Sequence, residues 1–284
     1  MDRKYIEFIN SKPNEIKKLV MRNSIAYVPF GALEWHGKHN VVGVDSIKAS
    51  YICKKCIEIT GGVLFPCINY GAFDTMRFPF TLHFKKRRLK KITKKIANQL
   101  YEMGFQIIIF LTGHYPRSQI NSLKKVSQKI SKKYQDCFAL GIPEYYLVPD
   151  LDYFGDHAAE WETSIMLAID ESLVDLNNLP TNLSFSERAQ GHGILGKDPH
   201  IYASKEKGEK ILTQIIRRLT TAVLEVQNTD SIQPFDDIYS NFEKIKSQHK
   251  SIKEIFRIYG VENKKQGFEY LKWLIFRRKK YNPK

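Results

Sequence analysis

A carboxylate and an imidazole two residues apart, Glu34 and His36, stand just past the apolar run 25–30. If the backbone stays extended there, side chains two apart point the same way, so an oxygen and a nitrogen ligand can converge on one point. Taken alone, a Glu-x-His pair is weak evidence, and ordinary surface polar residues account for it as well. Asp45 follows at the start of the next helical pattern, where a short carboxylate can bridge two cations. A second apolar run, 106–111, ends in Thr112-Gly113-His114 and places another imidazole in an equivalent position. A third run, 138–142, is followed by a loop dense in carboxylate and imidazole, with Asp152, Asp156, His157, Glu160 and Glu162 preceding the apolar 165–168. The coincidence of three such endings outweighs any one of them. Oxygen and nitrogen donors of this kind are those that zinc or manganese takes.

The frame for these residues is legible in the apolar periodicity. The runs 25–30, 63–68, 106–111 and 138–142 are rich in β-branched residues and read as buried parallel strands. Helical patterns at about 45–59, 86–103 and 117–133 alternate with them. Such alternation predicts βαβ units with right-handed connections, and so a three-layer α/β/α sandwich around a mostly parallel sheet. In open parallel sheets ligands bind beyond the carboxyl ends of the strands, where Glu34, His36 and His114 fall. A long helix at about 204–227, with Ile211, Leu212, Ile215, Ile216, Leu219, Val223 and Leu224 on its apolar face, closes the α/β part. Residues 228–234 read as a linker. The expected division is an α/β domain over 1–228 and a basic, mostly helical C-terminal extension over 229–284.

Composition narrows the function classes. With 284 residues and 43% hydrophobic content the chain can bury a full core, which excludes whole-chain disorder. The start, Met1-Asp2-Arg3-Lys4-Tyr5, has no apolar segment behind its charges. No stretch approaches the roughly 18 uninterrupted apolar residues of a membrane span, so a cytoplasmic protein without a membrane partner is expected. Four cysteines in this length do not form a disulfide framework. Cys53-Lys54-Lys55-Cys56 lacks the second ligand pair of a structural zinc site and sits among Ile47, Tyr51, Ile52 and Ile59 at helical spacing, so half-buried helix cysteines are expected. The formal net charge of +15 invites a nucleic-acid reading. Within the basic block 85–95, however, Leu89 and Ile92 continue at helical spacing into Ile96 and Leu100, and a solvated helix face explains the lysines without a ligand.

Taken in order, Pro29-Phe30-Gly31-Ala32-Leu33-Glu34-Trp35-His36-Gly37 with Asp45, then Thr112-Gly113-His114, then His157-Ala158-Ala159-Glu160-Trp161-Glu162-Thr163-Ser164 resemble the signature blocks of the creatininase (creatinine amidohydrolase) family. A softer fourth block is Gly193 to Pro199 followed by Ala203 to Gly208, and the resemblance runs from about residue 12 to 227. It implies a dinuclear site: one metal on Glu34 and His114, the other on His36 and Glu162, with Asp45 bridging. The cofactors implied are two divalent ions, zinc or manganese, with iron and magnesium as alternatives. His157 matches the family's catalytic histidine, which would carry the proton from attacking water to leaving group, with Asp156 or a neighbouring carboxylate orienting its ring. A helix-capping or supporting role is the alternative for His157. His39, Tyr115 and Trp161 are candidate substrate contacts; an exposed loop position is the alternative for His39, and core packing for the other two. The family's habit points to a closed homo-oligomer, often a hexamer.

Two departures bear on substrate. The enzyme that opens creatinine carries an active-site glutamate after its Gly-His-Tyr, whereas Gly113-His114-Tyr115 is followed by Pro116 and Arg117. The family's Pro-Gly-Thr appears as Pro79-Phe80-Thr81, and a phenylalanine there should alter the pocket or the loop. The expected function is therefore a divalent-metal hydrolase acting on a cyclic amide or other non-peptide carbon–nitrogen bond of a small polar substrate. Deformylation of a pyrimidine intermediate of flavin or deazaflavin synthesis and opening of a diketo-inositol ring are alternatives within the family. The rival of another class is a non-enzymatic module that binds nucleic acid through its basic tail.

Overall fold

The computed structural model describes residues 4–73, 78–249, 251–261 and 263–276; the outermost parts of the two expected segments, 1–3 and 277–284, lie outside the described residues. Five strands form one sheet: β1 (Tyr5–Glu7), β2 (Ile25–Phe30), β3 (Gly62–Leu64), β4 (Ile107–Thr112) and β5 (Phe138–Pro143). Their order is β1-β3-β2-β4-β5, and every pair is parallel. The helices are α1 (Pro13–Val20), α2 (Val44–Thr60), α3 (Lys86–Glu102), α4 (Arg117–Lys133), α5 (Glu160–Ile169), α6 (Pro199–Tyr202), α7 (Lys205–Thr229), α8 (Gln233–Gln248), α9 (Ile252–Ile258) and α10 (Lys264–Phe276).

Strands β2 and β4 are buried at every position because both faces of the sheet are covered. Along β2, Ile25 and Tyr27 pack with Ile52 and Ile57 of α2, Ile165 of α5 and Ile215 and Leu219 of α7. Ala26, Val28 and Phe30 turn the other way, onto Leu19 of α1, Leu89 and Leu100 of α3 and Leu123 and Val126 of α4. This is the three-layer α/β/α sandwich. On α3 the lysines and arginines are exposed; Leu89, Thr93, Ala97 and Leu100 are buried, and Ile92 falls outside the apolar stripe. Cys53 and Cys56 are free thiols, fully buried on the sheet side of α2.

Three elements differ from the sequence-based expectation. The run 63–68 gives only β3: Pro66 has no N–H for a ladder, and the chain then follows β2 through single contacts, Ile68 N–H to Pro29 O at 3.0 Å and Gly31 N–H to Ile68 O at 3.0 Å. Strand β1, three residues at the sheet edge, was too short to leave a pattern. The expected linker 228–234 contracts to residues 230–232, with Asp230 at φ +47. Beyond it, Phe235, Tyr239 and Phe242 of α8 enter the main core, where the Tyr239 hydroxyl donates to Gly141 O and accepts from Gly141 N–H, each at 3.1 Å. Among the described residues, no helix is long and apolar enough to cross a membrane.

Candidate metal centre

The carboxyl ends of β2 and β4 lie side by side, with Phe30 opposite Thr112, so the segments leaving them start together. Leaving β2, Glu34 and His36 are buried, and the His36 Nδ1–H donates to Glu34 O at 2.9 Å. That contact sets the tautomer and leaves Nε2 with a free lone pair. Leaving β4, His114 is held the opposite way round: its Nε2–H donates to Ala72 O at 3.2 Å, which frees Nδ1. Thr112 accepts the His114 N–H at 3.0 Å, and Gln119 braces Thr112 at 2.9 Å while accepting Ala72 N–H at 2.7 Å. Asp45, at the N-terminal end of α2, comes close enough only because residue 113 is glycine: a Cβ there would collide with the Asp45 carbonyl.

The arrangement converges on Asp45. One carboxylate oxygen, Oδ1, is 3.2 Å from His36 Nε2, and the other, Oδ2, is 2.8 Å from His114 Nδ1. Glu162 Oε2 is 3.3 Å from the same His36 nitrogen, and Glu34 Oε2 is 3.1 Å from the same His114 nitrogen. Three donor groups result among the described residues, Glu34/Asp45/His114, His36/Asp45/Glu162 and Glu34/His36/His157, and the first two share Asp45. Donors about 2.0–2.1 Å from a tetrahedral zinc lie roughly 3.3 Å apart, close to these separations. His36 Nε2 and Asp45 Oδ2 are buried without a hydrogen-bond partner, which is the signature of donor atoms aimed at common points. The residues present therefore fit divalent-cation binding, with Asp45 common to two of the donor groups.

Electrostatics agree. Burial opposes charge on His114, yet the Asp45 and Glu34 carboxylates outweigh it and raise the imidazole pKa to about 9. His36 is likewise raised above its usual value, burial being overcome by Asp45 and Glu162. Burial would raise Asp45, but His36 and His114 hold it well below the carboxylate range. The site thus draws positive charge from whatever can supply it.

Glu162, in the first turn of α5, has its Oε2 fixed by the Ala158 N–H at 2.7 Å. Ala158 sits at φ +54, a left-handed conformation that costs about 1 kcal/mol or more for a residue with a Cβ; it directs that N–H at Glu162 while its carbonyl accepts from His39 Nε2 at 3.0 Å. The other Glu162 oxygen is paired with Lys48, a fully buried ammonium one turn along α2 from Asp45. Lys48 also donates to the Tyr115 hydroxyl at 2.6 Å and lies 3.5 Å from Glu144, which accepts in turn from Tyr115. Tyr153 completes this buried network, 2.6 Å from the Tyr115 hydroxyl. Burial raises Glu162, but Lys48 and His36 bring it down to about 2.

His157 approaches from the opposite side. Its ring lies 4.3 Å from that of His36 and stacks on Phe78 at 4.9 Å, 4° from parallel. Nε2–H donates to Trp35 O at 3.0 Å, and Nδ1 lies 3.9 Å from Glu34 Oε2. Asp156 does not provide the expected orienting contact: its two oxygens accept from Trp161 N–H at 2.8 Å and Glu162 N–H at 3.1 Å, which caps α5, and burial together with Glu162 raises its pKa to about 8. The carboxylate facing the His157 ring is Glu34. His39 is buried and bonded to Ala158 O and Thr163, a support for the 158 turn. Tyr115 belongs to the Lys48 network, and Trp161 packs against Tyr153 at 5.2 Å with the Lys207 ammonium 5.3 Å over its ring. Phe80 occupies φ +50 with its ring exposed, so the turn persists despite the phenylalanine and Thr81 still accepts the Trp35 N–H at 3.0 Å. Lys48 and Glu144 escape sequence reading because a helix lysine reads as solvated; the usable signals are Lys48's place one turn after Asp45 and Glu144's place just after β5.

A creatininase (creatinine amidohydrolase) family model matches residues 10–223. The chain belongs to the creatininase family. It is 24% identical over 233 residues to a creatinine amidohydrolase of Pseudomonas putida, covering 71% of this chain and 89% of that one. A creatininase in its manganese form superposes with a TM-score of 0.68 at 23% identity, covering 78% of this chain and 98% of the other. A zinc–zinc form of a creatininase mutant gives 0.61 at 21% identity over 78% and 98%. Membership makes the chain a metal-dependent amidohydrolase using divalent metal. The family match ends at residue 223, ahead of α8, α9 and α10.

Proposed function

We propose that this creatininase-family chain hydrolyses a cyclic amide or other non-peptide carbon–nitrogen bond in a small polar molecule, using two divalent ions, zinc or manganese. One ion would be held by Glu34, His114 and Asp45, the other by His36, Glu162 and Asp45. The observation that carries this reading is the division of Asp45: each oxygen faces a different histidine, and each histidine nitrogen has a second carboxylate beside it. When bound, such ions lower the pKa of water toward neutrality and polarise a carbonyl.

The chain's own residues supply the proton handling. With Nε2–H engaged by Trp35 O, His157 presents the Nδ1 lone pair toward Glu34. Burial keeps the His157 pKa below its usual value, so the ring is neutral and able to accept a proton at pH 7. Nδ1 would take the proton of the attacking water and return it to the leaving nitrogen. Phe78, parallel to the ring, shields one of its faces from water. Pro116 and Arg117, where the creatinine-opening enzyme carries glutamate, argue for an amide other than creatinine.

Metal analysis of the purified full-length protein beside an amide and formamide screen tests the reading. About two equivalents of metal are expected, with turnover lost on chelation and restored by zinc or manganese. Glu34→Gln and His36→Ala should lose metal and turnover while remaining folded. Turnover that survives exhaustive chelation would overturn the proposal.

A further inference from the structure

The His157 loop is clamped from both sides by helices that lie beyond the family match. His157 and Leu195 form an isolated two-way bridge, His157 N–H to Leu195 O at 3.1 Å and Leu195 N–H to His157 O at 2.8 Å. On the His157 side, Arg257 of α9 grips Asp152 with two parallel bonds of 2.8 Å each, and His249 packs 5.0 Å from the Phe154 ring. On the Leu195 side, Val261 and Tyr270 bury against Phe185 and Ala189, with Leu195 packed at the edge of that cluster. The Arg188 guanidinium donates to Gly260 O at 3.1 Å, and Glu269 accepts the Ser186 N–H at 3.2 Å. Gly260 itself, at φ +65, passes so close to the 196–197 backbone that a Cβ there would lie 2.8 Å from Lys197 Cα.

We propose that α9 and α10, with the turn at Gly260, form a positioning element for His157: they hold residues 152–157 and 185–197 together so that the imidazole is fixed against Glu34 and His36. Both segments lie outside the sheet and lack its ladder bonds, which makes them the part of a fold that opens at least cost. A proton carrier tolerates displacement of only about 0.5 Å before its rate falls. The family match ends at residue 223, so α9 and α10 lie outside the matched part of the chain. On this account the extension serves catalysis from within, by a contact route that reaches His157 through Leu195 and Asp152.

The proposal rests on His157 carrying the proton, and its test is arranged so that failure of that reading can be told apart. Amide hydrogen exchange is read on the full-length, zinc-loaded protein and on Gly260→Ala, Arg257→Gln and Arg257→Lys. Gly260→Ala and Arg257→Gln should speed exchange at His157 and Leu195 by about 3–10-fold, the range for losing a partly exposed bidentate pair, with Arg257→Lys intermediate. Exchange in β2 and β4 and the metal content should not change. With any substrate found in the amide screen, kcat should fall in the same rank order with KM little altered. Faster exchange across 252–276 with His157 and Leu195 unmoved would overturn the proposal, as would faster exchange at those two amides with kcat intact. If Gly260→Ala fails to fold, the milder Arg257 pair decides by the same criteria. A wild-type protein that binds metal yet turns over no amide would count against the proposed function, while the exchange data would still report whether the clamp exists.

Discussion

Asp45 is packed within a few ångströms of both Glu34 and Glu162, all three away from water, so in the absence of metal something else must offset their repulsion. Lys48 is that offset for Glu162 and Glu144. Lys48→Met keeps the shape of the stem but leaves two buried carboxylates uncompensated, and should destabilise the chelated protein by about 3–5 kcal/mol. Urea unfolding with and without zinc checks this: the deficit should shrink with zinc, and equal stability of variant and parent under chelation would show that the pair does not offset anything. The pH dependence of the chelated protein follows from signs. His114, at about 9 against its usual 6.5, contributes stability that is full below pH 6.5 and lost as pH rises through 9. Asp156, at about 8 against 3.8, weakens the fold in the same alkaline direction. Glu162, at about 2 against 4.5, contributes stability present above pH 4.5 and lost as pH falls through 2. Unfolding midpoints of the chelated protein should therefore drop between about pH 6 and about pH 9, and a flat profile would contradict the charge pattern. At the proposed proton carrier, His157→Ala should retain metal and lower kcat by a factor on the order of 10²–10⁴, measured with the substrate from the screen.

Between elements, what matters is how near the start of α2 comes to the end of β4. Gly113→Ala would put a methyl group onto the Asp45 carbonyl and force the two apart. The expected cost is about 1–3 kcal/mol, together with weaker metal binding because Asp45 and His114 would no longer share a point. Calorimetry and metal titration of the variant would show it; unchanged affinity would mean that the approach of the two elements does not set the site. This dependence explains what the sequence disclosed. Strand ends are legible because a both-faces-buried strand is a continuous apolar run, and a polar residue straight after it must lie at the sheet edge; Glu34, His36 and His114 are read that way. Lys48 was missed because a helix lysine by default reads as turned toward water, and its one signal, a place one turn after Asp45, has force only once Asp45 is known to face the site. Of the two options for orienting His157, Asp156 or a neighbouring carboxylate, Asp156 is taken up elsewhere: the first turn of α5 has free N–H groups, and they claim both of its oxygens. The three-residue β1 leaves too few positions for periodicity to register.

At the scale of the whole molecule, composition suggested a basic tail appended after residue 228, yet α8 supplies Phe235, Tyr239 and Phe242 to the same buried cluster as β2, β4 and α7. The Phe242 ring stacks on Tyr146 at 3.7 Å, directly over the segment that carries Glu144. Losing one buried phenylalanine costs about 3–5 kcal/mol, and a domain's whole stability is about 5–15 kcal/mol. A chain ending at residue 230 loses all three aromatics together and exposes the faces of α7 and residues 144–151 that they cover. That truncation is expected to be insoluble or partly unfolded, with no cooperative melt, whereas a chain ending at residue 249 should keep the core and lose only the clamp on His157. Circular dichroism melts of the two truncations separate the cases. A cooperative transition in the 230-residue chain would make the extension a true appendage; failure of that chain alone would place the boundary of the folding unit within the extension, between α8 and α9. Since α8 continues the core and α9 with α10 pack against the segments around His157 and Leu195, the described lysines of these helices, all of them exposed, stand on elements whose inner faces serve the fold.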